Sequence, residues 1–307
     1  MLKIFQLNCQ DLYVFLDKYN GEDLESLFPP KWQLFTSSFF PNKPLDKLFD
    51  LKKMIESIDP DILYLTEVGG VESLRNFNKY FLCEQFNVYS EASNSDRGID
   101  LGYMVNKRVP YKVTIKNHVK ATLTNGKRFS RGVLELRLTL NDKLLYINLL
   151  CHLKSKLNLK RQDFEGRGQR QAELDYLKDL YIKYSNKYKQ IPITISGDFN
   201  GIIYKQETEV EFENLLNSTK LLDVFEHLDT PLEKRMSYCY FNYQGSRYPM
   251  QLDYFLVDTK DKSRIGSNSR LIGFTPPYID TFELPSNLIE KRTLASDHHP
   301  LLVYLKI

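Results

Sequence analysis

Five strand-like apolar runs in this chain each adjoin a short polar island, and that repeated junction limits the architecture more than any other feature. The islands are Leu7-Asn8-Cys9, Leu65-Thr66-Glu67-Val68, Ser196-Gly197-Asp198-Phe199-Asn200, Leu252-Asp253-Tyr254 and Ser296-Asp297-His298-His299-Pro300. Runs such as Ile62-Leu63-Tyr64-Leu65 are apolar on both faces, as buried strands are. Acids, amides and histidines at the ends of such strands collect along one edge of a packed sheet structure.

The rest of the pattern supplies the layers. Leu2 to Asn8 reads as a first strand, followed over 11–44 by a polar and aromatic segment broken by Pro29-Pro30, Pro41 and Pro44. Leu45, Leu48, Leu51, Ile55 and Ile58 recur at helical spacing. Asp59-Pro60 ends that helix because the residue before proline avoids helical geometry. Strands are expected at 62–68, 101–106, 111–115, 132–140, 144–150, 191–196, 252–257 and 301–306, with helices at 169–184 and 210–217. The expected fold is α+β: a four-layered αββα sandwich with two mixed β-sheets face to face and helices outside. One domain should span 1–307, built from two βα-rich halves at roughly 1–150 and 151–307.

Composition narrows the class. The 42% hydrophobic content supports a large core, and 26% charged residues argue against disorder. A net charge of +3 is too small to mark a nucleic-acid binder by bulk electrostatics, so anion binding would need a local basic cluster. Cys9, Cys83, Cys151 and Cys239 have no metal-ligand spacing and read as reduced core thiols. No run of 18 apolar residues occurs, so no membrane insertion is expected. Met1 to Leu7 lacks a signal-peptide h-region, and the chain as given reads as cytoplasmic; a leader removed ahead of Met1 would permit secretion. Nothing marks an obligate protein partner, and a monomer is expected.

Each island has a chemical reading and a plain one. Gly197 permits a tight turn after which Asp198 and Asn200 point the same way; they could orient a water and donate to an oxyanion, or form only an Asx-type turn. A carboxylate at Glu67, on a strand buried on both faces, needs a partner or a metal unless it is an exposed strand-end acid. Oxygen ligands without cysteine suit magnesium, manganese or calcium better than zinc. His152 ends an apolar run, where a lone histidine is commonly structural. An aspartate such as Asp253 could fix the tautomer of a nearby histidine, His298 in the first instance. Arg131 opens a strand, and Arg167 and Arg170 lead into the charged helix, either as phosphate-binding forks or as a solvated face.

Taken together, L-N-C at 7–9, D-I-L-Y-L-T-E-V at 61–68, F-S-R at 129–131, C-H-L-K-S-K at 151–156, G-D-F-N at 197–200, Q-L-D-Y-F-L-V at 251–257 and S-D-H-H-P at 296–300 resemble the endonuclease/exonuclease/phosphatase superfamily, whose members include deoxyribonuclease I. The motifs occur in the family's order and span nearly the whole chain. The resemblance implies magnesium-dependent hydrolysis of a phosphate ester. It makes Glu67 the main metal ligand with Asn8 and Asp297 near it, Asp198 the residue that orients or deprotonates water, and Asn200 a phosphate contact. It pairs His298 with Asp253 for proton handling, sets His152 against phosphate oxygens or the leaving group, and offers Asp100 as a carboxylate partner of His152. Arg131 matches a substrate-contacting arginine of deoxyribonuclease-like members, while the phosphate role of Arg170 rests on its place at the helix start alone.

Departures from the pattern narrow the branch. His152 stands where abasic-site endonucleases have asparagine, and Leu150 replaces a polar residue two places earlier. The tyrosine-rich stretch 237–245 leading to Leu252-Asp253-Tyr254 resembles bacterial nuclease-like members, so DNA or RNA is the expected substrate class. The alternatives are an inositol phosphate, sphingomyelin or another small phosphate ester, and a catalytically silent binding module. The aromatic segment 28–40 reads as a loop packed over the sandwich edge or as a lid.

Overall fold

The computed structural model describes residues 1–156, 163–204 and 207–307. Its strands, in chain order, are β1 (Leu2–Leu12), β2 (Ile62–Val68), β3 (Phe86–Glu91), β4 (Asp100–Asn106), β5 (Lys112–Asn117), β6 (Gly132–Leu140) and β7 (Lys143–His152). The second set is β8 (Ile193–Asp198), β9 (Leu221–Asp223), β10 (Tyr238–Phe241), β11 (Arg247–Met250), β12 (Asp253–Asp258), β13 (Arg270–Leu271) and β14 (Leu301–Leu305). They form two six-stranded sheets, ordered β13-β14-β1-β2-β4-β3 and β5-β6-β7-β8-β12-β9, and a separate β10–β11 ribbon.

Both sheets are mixed, each with one parallel pair, β1–β2 and β7–β8, among antiparallel neighbours. A parallel pair needs a crossover, and a helix supplies it in each case. Leu45–Ile58 links β1 to β2, and Arg167–Lys187 links β7 to β8. The first helix buries Leu45, Leu48, Leu51, Ile55 and Ile58, the residues its spacing predicts. Asp59 closes it in left-handed geometry (φ 47°), its N–H bonding to Ile55 O at 2.8 Å.

Alternation along β2 makes the layers. Leu63 and Leu65 face the helices Leu45–Ile58 and Gly70–Phe81, while Ile62 and Tyr64 face the second sheet. Between the sheets lie Ile4, Tyr103, Leu136 and Phe255; outside the second sheet Leu149 and Ile195 meet Leu174 and Leu177. The result is the expected αββα sandwich. A polar seam crosses its centre, with Tyr64 donating to Tyr146 (3.2 Å) and Tyr103 to Asn148 (2.7 Å).

The division into halves at residue 150 is corrected. β5, β6 and β7 belong to the second sheet, and β13 and β14 return to the first. β14 pairs with β1 in register from Leu2↔Leu305 to Gln6↔Leu301, so the chain's two ends share a sheet. The helix Gly70–Phe81 and strand β3 are additions; Leu74, Phe77 and Phe81 carried a helical spacing behind the glycine pair 69–70. In the aromatic segment Trp32 and Phe35 are buried whereas Phe28, Leu34 and Phe39 are exposed, so neither reading of it holds throughout. Cys9, Cys151 and Cys239 are buried free thiols; Cys83 is exposed, against expectation.

Candidate active site

Register places the site. His152, Asp198 and Asp253 stand side by side at the ends of β7, β8 and β12, with His152 opposite Asp198 and Asp198 opposite Asp253. Facing them, Asn8 on β1 lies opposite Thr66, next to Glu67 on β2. The segment before β14 brings in Asp297 and His298, and Ser296 secures it by donating to Asn8 O at 2.6 Å. Between these strand ends opens a cleft of about 800 Å³ lined by Glu67, Arg131, His152, Asp198, Asn200, Asp297 and His298.

Backbone strain concentrates here. Gln10, Asp11, Glu67 and Asn200 all have positive φ, between 49° and 60°. That conformation costs a non-glycine residue about 1–2 kcal/mol. At Gly197 (φ 125°) a Cβ would sit 1.9 Å from Cys151 O. No other residue fits there, and Asp198 leaves the strand at this height.

Two side chains stand one bond behind the cleft wall. Asn8 donates Nδ2–H to Asp198 Oδ2 at 3.0 Å and accepts the Gln10 N–H at 3.0 Å. Asp253 Oδ2 lies 2.7 Å from His298 Nδ1 and accepts the Ser237 hydroxyl at 2.7 Å. Asn200 receives its fold from Asp198, whose Oδ1 accepts the Asn200 N–H, and its amide donates to Leu153 O at 3.1 Å. His152 Nε2 is 3.5 Å from Asp198 Oδ2 and 3.7 Å from Glu67 Oε1.

The electrostatics divide the groups. Burial raises Glu67, and the neighbouring Asp11 and Asp297 carboxylates push it the same way. Burial likewise lifts Asp198 above the usual carboxylate range. For His298 burial disfavours the charge, but attraction to Asp253 and their hydrogen bond outweigh it, so the imidazole is held well above its ordinary value. His152 goes the other way, pushed well down by burial and then by the Arg131 charge. Burial and neighbouring charge thus push the two histidines of one cleft in opposite directions, His298 towards the charged form and His152 towards the neutral one.

The donor set fits a hard divalent cation. Glu67, Asp11 and Asp297 are close enough to raise the proton affinity of Glu67, a repulsion that a cation between them relieves. Among the described residues no group of three or more His, Cys, Asp or Glu side chains is placed to hold a metal ion. A hard divalent cation can be held by one or two carboxylates, with water and substrate oxygens completing its shell.

Two predicted residues lie elsewhere. Arg170 is fully buried, paired with Glu211 and bonded to Lys154 O at 2.8 Å, so it is neither a phosphate contact nor a solvated charge. Its place on the inward face of the helix decides this. Asp100 accepts the Ser93 N–H at 2.7 Å on β4 and makes no hydrogen bond to His152. Arg131 does face the cleft. Its guanidinium donates to Leu153 O at 3.1 Å and meets no carboxylate at ion-pair distance among the described residues.

Several contributors escaped the sequence reading. Ser237 holds Asp253. Buried Glu173 accepts from Ser130 N (2.7 Å), Lys154 N (2.8 Å) and Gln169 Nε2 (3.1 Å), fixing the loops on either side of Arg131 and His152. Arg97 and Asp11 form a two-pronged pair at 2.6 and 2.8 Å on the cleft wall. None carries a local motif signal, because each acts through a distant partner. His299, by contrast, turns away: Nδ1 bonds Ile272 O and the ring lies between Phe274 and Phe282.

This architecture is the DNase I-like sandwich, the fold of the superfamily that the motifs resemble. Solved structures match it over the full chain. D. rerio TDP2 complexed with single-strand DNA product aligns with a TM-score of 0.60 and 16% identity, covering 100% of this chain and 99% of that one. The human Nocturnin catalytic domain with bound sulfate gives 0.62 and 14%, covering 99% and 94%. The Bacteroides thetaiotaomicron mannosyl-6-phosphatase Bt3783 gives 0.57 and 12%, covering 100% of both chains. No family model and no curated protein matches the sequence.

Proposed function

We propose that the protein is a divalent-metal-dependent phosphoesterase that hydrolyses phosphodiester bonds in DNA or RNA. The observation that carries this reading is the convergence of Asp198, Glu67 and Asp297 from separate strand ends on one cleft with the Arg131 guanidinium. Glu67 and Asp297 would hold the metal, with Asn8 beside them through Asp198; magnesium is favoured, with manganese or calcium as substitutes. When bound, the metal supplies charge for the phosphate oxygens as negative charge develops on them.

The chain's own groups do the rest. Asp198, its carboxyl raised by burial, takes a proton from the attacking water as that oxygen bonds to phosphorus. The ester P–O bond breaks. The His298 imidazolium, oriented by Asp253, stabilises the phosphoryl charge and supplies the proton that the departing oxygen needs. Neutral His152 and the Asn200 amide donate to phosphoryl oxygens, and Arg131 neutralises the phosphate from the cleft wall.

Polynucleotide is favoured over a small ester because the β10–β11 ribbon borders the cleft with Tyr238, Tyr240 and Met250. Tyr240 and Tyr248 are half exposed and Tyr243 at the turn is 95% exposed, surfaces on which bases stack. The likeness to TDP2, solved with single-strand DNA product, supports the same choice. A small phosphate ester is the second reading. It is favoured by the full-length likeness to a mannosyl-6-phosphatase and by a cleft volume within the range of small-ligand sites.

The test is a substrate panel in the presence of magnesium: single- and double-stranded DNA, RNA, a generic phosphodiester, an inositol phosphate, a sugar phosphate and sphingomyelin. Asp198→Ala and His298→Ala serve as controls. Cleavage of polynucleotide by the parent alone upholds the proposal. Turnover confined to small or lipid esters replaces it with the second reading, and no turnover, or full activity in both variants, removes the enzyme reading.

A further inference from the structure

A second cleft of about 310 Å³ opens beside the first and shares Gln10, Asp11 and Arg97 with it. Its far side is made by Tyr13, Phe40, Lys43 and Lys47. Tyr13, Phe40, Lys43 and Lys47 have no part in the chemistry above.

The charge balance of this cleft is positive. Among the described residues Asp11 is the one carboxylate that lines it, and it is already engaged by Arg97. Lys43 is 3% exposed, and its ammonium donates to Cys9 O at 2.9 Å and Gln10 O at 3.2 Å. Among the described residues it meets no carboxylate at ion-pair distance. Lys47, on the helix Leu45–Ile58, makes no hydrogen bond or ion pair through its ammonium among those residues. Carboxylates act on both lysines only from beyond ion-pair distance, Asp297 and Asp11 on Lys43 and Asp46 and Asp297 on Lys47. A buried or half-buried ammonium without a close counter-ion is costly, and an anion entering the cleft offsets that cost.

The cleft also has a ring platform. Phe40 stacks on Tyr13 with centroids 5.2 Å apart and planes at 20°, and Tyr13 is fixed by its hydroxyl donating to Arg97 O at 2.6 Å. Phe40 keeps part of its surface exposed. Cations beside an aromatic platform suit a phosphate joined to a ring, the repeating unit of a single-stranded nucleic acid. The volume lies at the lower end of ligand sites, enough for one such unit.

We propose that this second cleft binds the nucleotide next to the scissile phosphate, with Lys47 and Lys43 at its phosphate and Phe40 against its base. This rests on the polynucleotide reading. It gives the strand a path from the tyrosine ribbon, across Asp198, over the Arg97–Asp11 wall and into the cleft beneath Phe40.

The experiment measures binding of labelled oligodeoxynucleotides and oligoribonucleotides by fluorescence anisotropy, in chelator and over a range of salt, alongside cleavage in magnesium. Lys47→Ala should weaken binding several-fold and lower the slope of log affinity against log salt by about 0.7, the value for one single-strand phosphate contact. Lys47→Arg should restore both, and Phe40→Ala should weaken binding on the order of tenfold. Lys53→Ala, an exposed lysine of the same helix, controls for bulk charge. A generic small phosphodiester should be cleaved equally by parent and Lys47→Ala. A Lys47→Ala protein that binds and cuts oligonucleotides like the parent overturns this inference alone. Loss of oligonucleotide binding in Lys47→Ala when the parent cleaves only small esters upholds the binding site and overturns the nuclease reading. A parent that neither binds nor cleaves oligonucleotides overturns both.

Discussion

His298 Nδ1 sits 2.7 Å from Asp253 Oδ2, and the same carboxylate oxygen accepts the Ser237 hydroxyl at 2.7 Å. The imidazole ring is therefore set by a carboxylate that is itself set by a serine, all three buried. Asp253→Asn should keep the fold and lower kcat by roughly 10²–10⁴, the range for losing an acid–base group. Ser237→Ala should lose much less, because His298 keeps its carboxylate. Steady-state kinetics with melting curves check both, and an unaltered kcat in Asp253→Asn would remove His298 from the chemistry.

Burial, and then the Asp11 and Asp297 carboxylates, disfavour the charge on Glu67. Glu67→Gln should accordingly raise the melting temperature in chelator while abolishing activity. Magnesium should stabilise the parent by about 2.7 kcal/mol at one hundred times its Kd and leave Glu67→Gln nearly unaffected. Differential scanning calorimetry with and without magnesium reads this directly.

The two arginines that the sequence set together should separate on mutation. Among the described residues the Arg131 guanidinium donates to a single carbonyl, Leu153 O. Arg131→Ala should therefore raise KM for phosphodiesters about tenfold or more, at little cost to stability. Arg170→Ala leaves Glu211 buried without its cation and should cost about 3–5 kcal/mol of stability. Paired KM and denaturant-unfolding measurements separate the two roles.

Acid stability has a separate origin, at a residue outside the cleft lining. Burial disfavours the Glu135 charge, but hydrogen bonds from His118, Tyr184 and Arg137 outweigh it and hold its pKa down to about 2. A depressed carboxylate stabilises the fold at pH above its unfolded value and loses that contribution as pH falls through the folded one. This residue should thus contribute on the order of 3 kcal/mol at neutral pH, fading between about pH 4.5 and pH 2. Urea unfolding across that window should show the loss in the parent, and Glu135→Gln should flatten it.

How much of this was legible depends on the range over which each residue acts. The helix Leu45–Ile58 was readable because its apolar spacing and Asp59-Pro60 are local. The short helix Gly70–Phe81 hid behind two glycines, and the boundary at residue 150 failed because strand order in a sheet is not written in strand order along a chain. Arg170 and Glu173 share one helix with exposed charges, and only packing shows that both point inward.

The sequence by itself determined the layer composition and the identity of the reactive groups, since periodicity and residue type are properties of short segments. The tertiary structure decided which groups meet. Asn8 reaches Asp198 across 190 residues, and His298 reaches Asp253 across 45. It also aligned the ends of β7, β8 and β12, turned Arg170 inward, and opened a basic, aromatic cleft beside the first. Those outcomes follow from strand register and close packing, which are fixed only when distant segments compete for the same space.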